Sequence, residues 1–312
     1  MSVKTILITG SNGLLGQKLV YNLLGRNRSG AQFNIIATSK GDNRLRIQEG
    51  YIYQPLDITD EHQVAEMFAK YKPDVVINTA AMTNVDACEN NREQAKQLNV
   101  DAVGYQVKAL EAMRSADYDP HYIHLSTDFI FDGENGPYRE EDTPNPLSWY
   151  AQTKLDAEKI VEASTVRWAI LRTIIVYGVA DFMSRSNVVL WAREALGKGQ
   201  KINVVDDQFR SPTLAEDLAE GCILCSEKGA QGIYHVSGKD IMSILELVYA
   251  VADFWQLDKA LITPVKSSTI NQPAKRPPRT GFVIDKAQQT FGYNPRSFKE
   301  GLALLDLQLQ TV

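Results

Sequence analysis

Three glycines mark the point where a run of apolar residues gives way to an amphipathic stretch. Thr5–Thr9 is typical of a buried strand and Leu14–Leu24 of a helix with one apolar face. Glycine at such a junction permits a tight turn and lets the backbone approach a pyrophosphate, while the helix N-terminus offers free N–H groups. An ordinary strand-to-helix turn is the alternative. The junction predicts a dinucleotide site made by Gly10, Asn12, Gly13, Leu14, Leu15 and Gly16.

The first half of the chain repeats this alternation of strand and helix. Further strands are predicted at 34–38, 51–54, 75–78, 122–126 and 168–171, and further helices at 60–71, 93–114 and 150–163. Right-handed β-α-β crossovers build these into a doubly wound parallel sheet of the Rossmann type, whose ligands bind at the carboxyl ends of the strands. We predict a dinucleotide-binding domain over 1–171. The remainder, 172–312, is predicted to be mainly a smaller α/β substrate-binding lobe, with some segments returning to the sheet.

Composition narrows the class of protein. The formal net charge of −5 argues against nucleic acid or an anionic membrane as a partner. No stretch reaches the roughly 18 apolar residues of a membrane span, and the N-terminus does not resemble a signal peptide, so we expect a cytoplasmic protein. Cys222 and Cys225 lie in an apolar helical run, which favours packing over redox chemistry. His121 and His124 point to opposite faces of a strand, and no metal ligand set is predicted.

The residues after the second and third strands bear on the choice of cofactor. An NAD enzyme usually has an acidic residue about 20 positions after the glycines. Small hydroxyl side chains and lysine stand there instead, with Arg44 and Arg46 nearby, and they suit a 2′-phosphate. NADPH is therefore favoured, with NADH possible. The predicted contacts are Thr38, Ser39 and Lys40, with Asp57 and Ile58 bracketing the adenine.

Tyr150 and Lys154 are spaced to share one face of a helix. A neighbouring ammonium should lower the pKa of a phenol and make it useful in acid–base work. A surface helix with a solvated lysine is the alternative. Ser126 and Thr127 end the fifth strand, where a hydroxyl could hold a substrate carbonyl. Asn99 lies within the preceding helix, where its amide could bind the backbone or a water in a proton relay.

Together these motifs resemble the extended short-chain dehydrogenase/reductases. The matching segments are Thr9-Gly10-x-x-Gly13-x-x-Gly16, Asn78-Thr79-Ala80-Ala81, Asn99, Ser126-Thr127-Asp128 and Tyr150-x-x-x-Lys154. The runs at 80–89, 126–133 and 207–213 are most similar to the dTDP-4-dehydrorhamnose reductases within that group, and the similarity extends from about Lys4 to Leu305.

The resemblance implies the roles of further residues. It makes Thr127, Tyr150, Lys154 and Asn99 the catalytic group, with hydride from NADPH reaching C4 of a 4-keto-deoxysugar nucleotide, dTDP-4-dehydro-L-rhamnose above all. It adds Asn78, Ala80, Ala81, Asn99, Tyr150 and Lys154 to the cofactor contacts. It assigns Thr83, Val85, Asp86, Ser126, Thr127 and Arg276 to the nucleotide-sugar substrate. The resemblance also allows a homodimer and a Mg²⁺ ion at a dimer contact. It does not indicate which residues of this chain would be the Mg²⁺ ligands.

Three departures from the pattern leave other functions open. Ile175 stands where those reductases have a tryptophan beside the sugar, Ala151 replaces a glycine, and Arg279 replaces an asparagine. One alternative is a non-catalytic NADP-binding regulatory subunit, since the beta subunit of methionine adenosyltransferase resembles the same reductases. The other is a nucleotide-sugar epimerase or dehydratase.

Overall fold

Seven parallel strands form the central sheet of the computed structural model, which describes residues 3–183 and 186–310. The sheet contains β1 (Lys4–Thr9), β2 (Phe33–Ser39), β3 (Ile52–Pro55), β4 (Val75–Asn78), β5 (His121–Thr127), β6 (Arg167–Thr173) and β11 (Gly232–His235). Their spatial order is β11-β6-β5-β4-β1-β2-β3. The chain therefore reverses direction across the sheet at β1 and β4, which is where such sheets bind ligands.

Helices cover both faces of this sheet. They are α1 (Leu14–Arg28), α2 (Glu61–Tyr71), α3 (Val85–Asn90), α4 (Arg92–Lys96), α5 (Ala102–Met113), α6 (Trp149–Glu162), α8 (Ala215–Lys228) and α10 (Asp285–Phe291), with a π-helical turn at Gln97–Asp101 between α4 and α5. Alternation along the strands divides the core, because successive side chains point to opposite faces. Ile6 and Ile8 pack toward α1 and α8, whereas Leu7 packs toward α2, α5 and α6.

The second half of the chain builds a smaller lobe around its own core. Its elements are β7 (Val176–Tyr177), α7 (Val188–Gly197), β8 (Ile202–Val205), β9 (Phe209–Arg210), β10 (Thr213–Leu214), β12 (Met242–Ser243), α9 (Ile244–Phe254), β13 (Ile262–Val265) and α11 (Phe298–Gln310). The short strands form three two-stranded sheets. β11, α8 and α10 belong to the central layers although they follow position 172.

The predicted fold class, a doubly wound parallel sheet with flanking helices, is confirmed. All six predicted strands are present within two residues of the predicted bounds, and the helix predicted over 93–114 is interrupted by the π-helical turn. Among the described residues, no helix combines the length and hydropathy needed to cross a bilayer.

Candidate active site

The glycine turn lies between the carboxyl ends of β1 and β4. Gly10 has φ +73°, and a Cβ there would lie 2.8 Å from Ala80 N. A Cβ on Gly16 would overlap the Gly10 carbonyl and lie 2.6 Å from Ser11 Cα. Gly13 is exposed, and α1 begins after it with no side-chain cap and no acidic residue in its first turn. The turn thus presents uncapped N–H groups to solvent, an arrangement that binds anions.

Replacing Gly16 by alanine is expected to lower the free energy of unfolding by about 1–3 kcal/mol, because the added methyl has no room between α1 and the turn. Gly25→Ala in the same helix is the matched control. A Cβ at Gly25 meets nothing within 4 Å, so that variant should be about 1 kcal/mol more stable. Urea unfolding of both variants measures the difference, and equal midpoints would contradict the packing argument.

The turn is held by polar contacts from its own side chains. Asn12 Nδ2 donates to Asp42 O at 2.8 Å and Asn12 Oδ1 accepts from Arg44 N at 2.9 Å. The Asn12 side chain thus shapes the loop after β2. Gln17, which the sequence did not single out, is buried and joins the Asn12 carbonyl to both backbone polar groups of Asp181.

The residues predicted to distinguish NADPH from NADH differ in the exposure and the contacts of their side chains. Thr38 is fully buried and its hydroxyl donates to Ile8 O at 3.0 Å, so the expectation that this side chain meets a 2′-phosphate is wrong. Ser39 ends β2 and is partly exposed. Lys40 is 80% exposed and lies 2.6 Å from an Asp57 carboxylate oxygen. Partial burial disfavours the charged form of Asp57, but hydrogen bonds from Lys40 and Thr59 outweigh it and lower the pKa of Asp57. Ile58 is buried in the core with Phe68.

The end of β4 forms the other wall of the crevice. Ala80 and Ala81 are partly exposed beside Gly10. Asn78 is 1% exposed and its amide contacts the Thr9 hydroxyl and His124 Nδ1, so its side chain faces the interior. The predicted cofactor contact of Asn78 is thus restricted to its backbone.

Asn99 lies in the π-helical turn between α4 and α5. Its amide accepts from Met82 N at 2.7 Å and donates to Met82 O and Thr153 Oγ1, both at 3.1 Å. The backbone alternative of the prediction is therefore the observed one. Asn99 ties the segment after β4 to α6, the helix that carries Tyr150, and π-helical turns of this kind often occur at functional sites.

Tyr150, Lys154 and Glu158 follow one another on the inner face of α6. Their exposed fractions are 9%, 4% and 0%, which excludes the solvated surface helix. Lys154 Nζ donates to Leu125 O at 2.6 Å and lies 3.1 Å from His124 Nε2. Burial lowers the pKa of Lys154 to about 8, and the Glu158 carboxylate opposes that shift.

Our expectation that Lys154 lowers the pKa of the Tyr150 phenol is wrong. Burial raises that pKa well above its ordinary value, the negative charge of Asp128 adds to the rise, and only a hydrogen bond with the Thr127 side chain opposes it. The physical reason is that the ammonium of Lys154 lies against β5, on His124 and Leu125. Tyr150 therefore keeps its proton at neutral pH.

A buried ionic cluster supports Thr127 from the side of the small lobe. The Thr127 hydroxyl lies 3.2 Å from Asp128 Oδ1, and Thr280 donates to the other oxygen of Asp128. Arg210 Nε lies 3.7 Å from Asp128 Oδ2, and both side chains are 3% exposed. Burial raises the pKa of Asp128 in spite of Arg210. Arg210 and Thr280 were not predicted as site residues, because Asp128 lies 82 and 152 positions away from them along the chain.

The residues predicted to meet the substrate differ in how far they are exposed. Thr83 is exposed, Val85 is partly buried at the start of α3, and Ser126 is 4% exposed. Asp86 and Arg276 contact one another, with Arg276 Nη2 2.7 Å from Asp86 Oδ2. The Arg276 hydrogen bond, against the effect of partial burial, lowers the pKa of Asp86. This ion pair links α3 to the loop before Arg279, a residue that forms an isolated β-bridge with Phe209.

Two of the three departures from the reductase pattern have structural consequences. Ile175, between β6 and β7, has φ +34°, a left-handed conformation that strains a β-branched residue. Such strain concentrates at functional sites. Arg279 is exposed with its guanidinium 5.3 Å from the centre of the Phe209 ring. Ala151 is buried in α6 beside Tyr150.

The possible Mg²⁺ remains without support. Over 3–183 and 186–310 there is no group of three or more His, Cys, Asp or Glu side chains that could hold a metal ion.

Comparison with known proteins identifies the family. The model of the RmlD substrate binding domain matches residues 4–310. Methionine adenosyltransferase 2 subunit beta of Bos taurus is 32% identical over 305 residues, which are 96% of this chain and 86% of the relative. The chain belongs to the RmlD substrate binding domain family.

Solved structures agree with this assignment. A dTDP-4-dehydrorhamnose reductase from Clostridium acetobutylicum is 30% identical, with a TM-score of 0.83 over 98% of this chain and 99% of that one. The Bacillus anthracis dTDP-4-dehydrorhamnose reductase in complex with NADP is 25% identical, with a TM-score of 0.84 over 98% of this chain and all of that one. The predicted resemblance is confirmed, and so is the predicted class of NAD(P)-dependent oxidoreductase.

Proposed function

We propose that this chain uses NADPH to reduce the 4-keto group of a nucleotide-linked deoxysugar, and that dTDP-4-dehydro-L-rhamnose is the first substrate to test. The observation that carries the proposal is the protonated phenol of Tyr150, buried beside Thr127 at the carboxyl edge of the sheet. A phenol that is protonated at neutral pH can donate its proton to a carbonyl oxygen as the carbonyl becomes an alcohol. The similarity to dTDP-4-dehydrorhamnose reductases supports the choice of sugar.

The residues of the crevice divide the reaction between them. When bound, NADPH supplies the hydride that adds to C4. Tyr150 gives its phenolic proton to the C4 oxygen, and the Thr127 hydroxyl holds that oxygen by a hydrogen bond. Lys154, with two of its ammonium hydrogens directed at β5, keeps a third for the ribose of the bound cofactor. The product is a secondary alcohol, and the phenol recovers its proton from solvent.

The glycine turn fits the cofactor. Gly13 leaves the first turn of α1 open, and that turn carries no acidic side chain to repel a pyrophosphate. Beyond the turn, Lys40 and Arg44 are exposed cations at the end of β2. They favour a cofactor with a 2′-phosphate, which supports NADPH over NADH.

The Lys40→Ala/Arg44→Ala variant is expected to bind NADPH about tenfold more weakly, with NADH affinity unchanged, because each exposed cation contributes on the order of 1 kcal/mol or less to an ion pair. Fluorescence titration with the two cofactors measures both affinities. Arg28→Ala, which removes an exposed cation from the far end of α1, is the control and should change neither. Equal losses for NADPH and NADH would contradict the 2′-phosphate role.

The direct test is NADPH oxidation by the purified protein with dTDP-4-dehydro-L-rhamnose and a panel of other nucleotide-linked 4-keto sugars, followed by mass analysis of the product. Turnover that yields the corresponding alcohol supports the proposal. An NAD molecule retained through purification, with interconversion of sugars and no net NADPH consumption, would instead identify an epimerase or dehydratase.

A second candidate function is a regulatory subunit that binds NADP without turnover. Two observations favour it: the similarity to methionine adenosyltransferase 2 subunit beta across 96% of this chain, and Ile175, an aliphatic residue in a strained conformation at the place predicted to flank the sugar. The test is to measure NADPH binding, NADPH oxidation with keto sugar nucleotides, and the activity of an added methionine adenosyltransferase catalytic subunit. Saturable binding without oxidation, together with a change in the activity of that subunit, would identify the chain as a regulatory subunit.

A further inference from the structure

A buried histidine outside the predicted catalytic group contacts Lys154. His124 lies on β5 with 1% of its surface exposed. Its Nε2 is 3.1 Å from Lys154 Nζ, and its Nδ1 is 3.2 Å from the amide nitrogen of Asn78. Burial, together with the charge of Lys154, holds the pKa of His124 far below its usual value, so the ring is neutral at physiological pH.

We propose that His124 is the positioning residue of Lys154: its neutral Nε2 accepts one ammonium hydrogen, the Leu125 carbonyl accepts a second, and the third is left for the cofactor ribose. This proposal rests on the proposed reductase function for its consequence, but its geometry does not depend on the substrate. A primary ammonium has three donors and no acceptor. With two of them fixed by buried acceptors on one strand, the direction of the third is fixed as well.

The proposal determines the state of the imidazole. A neutral ring that accepts at Nε2 carries its proton on Nδ1 and must donate from there. The nearby acceptor is the Asn78 amide, whose oxygen and nitrogen exchange places on a half-turn of the side chain. We therefore infer that the Asn78 oxygen faces the ring and that its nitrogen donates to the Thr9 hydroxyl, which contacts the opposite end of the amide. That orientation also offers an acceptor to the Tyr122 hydroxyl, which is buried against the same amide with no other partner among the described residues.

The position of His124 on β5 explains why it can act on α6. Tyr122, His124 and Ser126 share the face of the sheet that α5 and α6 cover, whereas Ile123 and Leu125 point to the opposite face. Lys154 reaches from α6 across this layer to the strand. Positioned in this way, the ammonium of Lys154 is fixed to the rigid sheet, independently of the loops around the crevice.

The test compares His124→Phe, which keeps a planar ring but removes the acceptor, with His124→Gln, whose amide oxygen can replace Nε2. Lys154 is titrated by NMR of ¹⁵N-labelled lysine ammonium groups, and Lys154→Arg assigns its signal. In His124→Phe we expect the pKa of Lys154 to fall by about one unit, a tenfold loss of proton affinity. His124→Gln should titrate near the wild type.

A steady-state readout separates positioning from packing. We expect kcat to fall about tenfold in His124→Phe, with KM for the sugar nucleotide unchanged and most of the kcat recovered in His124→Gln. An unchanged Lys154 titration in a folded His124→Phe protein, or a glutamine variant that behaves like the phenylalanine one, would overturn the proposal.

Should His124→Phe fail to fold, the wild-type protein still decides. The ¹⁵N shifts of the His124 ring are expected to show a protonated Nδ1 and an unprotonated Nε2, and the reverse tautomer would refute the assignment. Neither NMR measurement requires turnover. A chain that fails to oxidise NADPH with every keto sugar would thus refute the proposed function while leaving the role of His124 toward Lys154 separately tested.

Discussion

Tyr150→Phe is expected to lower kcat for NADPH-dependent reduction by about a thousandfold, because the variant has lost the only proton donor that we assign to the C4 oxygen. The phenyl ring keeps its place beside Phe129, whose ring centre lies 6.0 Å away. Cofactor affinity and thermal stability should therefore stay close to those of the wild type. Stopped-flow absorbance of NADPH under single-turnover conditions measures the hydride step itself.

Tyr234→Phe is the matched control for this variant. Tyr234 is likewise buried, with its hydroxyl donating to the Gln231 carbonyl, but it lies on β11 in the core cluster. Its loss of a hydroxyl should affect stability and leave kcat unchanged. Single-turnover rates in Tyr150→Phe within a few-fold of wild type would refute the assignment of the proton donor.

The pH profile of the wild type gives an independent check on this division of roles. The pKa of Lys154 is about 8, so the ammonium is present below that pH and is lost as the pH rises through it. The raised pKa of Tyr150 keeps the phenol protonated over the same range. The alkaline limb of the profile is thus expected near pH 8 and belongs to Lys154.

The features that follow from local periodicity could be predicted from the sequence. The glycine junction, the six strands and the shared face of Tyr150 and Lys154 depend on spacings of two, three or four residues, which are visible in the chain. The seventh strand, β11, was not predicted individually. It joins the edge of the sheet only after the chain has formed several elements of the small lobe.

Contacts between distant segments could not be predicted in this way. We predicted that the Thr38 side chain would face the cofactor. Successive side chains of a strand point to opposite faces, and the position of Thr38 in β2 directs its hydroxyl to the Ile8 carbonyl instead. The direction of the Lys154 ammonium depends on His124, thirty positions earlier, and the support of Asp128 depends on Thr280, 152 positions later. The partners that set the pKa values of the predicted site residues appear only once the strands are ordered.

Arg172 and Glu158 form a buried ion pair that links α6 to β6 of the sheet. Arg172 Nη2 lies 2.8 Å from Glu158 Oε2, and the two side chains are 3% and 0% exposed. Arg172→Met would leave the carboxylate without its partner, so we expect the free energy of unfolding to fall by about 3–5 kcal/mol. For a chain of this size that corresponds to a decrease in Tm of roughly 5–8 °C, measurable by differential scanning calorimetry.

Two comparisons show whether burial is the cause. Arg26→Met removes the shared partner of two partly exposed ion pairs, with Glu220 and with Glu227, and should cost about 1 kcal/mol or less per pair. Arg172→Met/Glu158→Leu removes both buried charges and should recover most of the stability lost in Arg172→Met. A double variant no more stable than the single one would show that Arg172 acts through its contacts with Phe131 and the Glu140 carbonyl instead.

The double variant also separates stability from chemistry. The negative charge of Glu158 raises the pKa of Lys154 against the effect of burial, so its removal must lower that pKa further. The activity of the double variant should therefore fall at a lower pH than that of the wild type as the pH is raised, because its Lys154 ammonium loses its proton at a lower pH. A double variant with a restored Tm but with an alkaline limb at lower pH than that of the wild type would show that Glu158 supports the charge of Lys154 as well as the packing of α6.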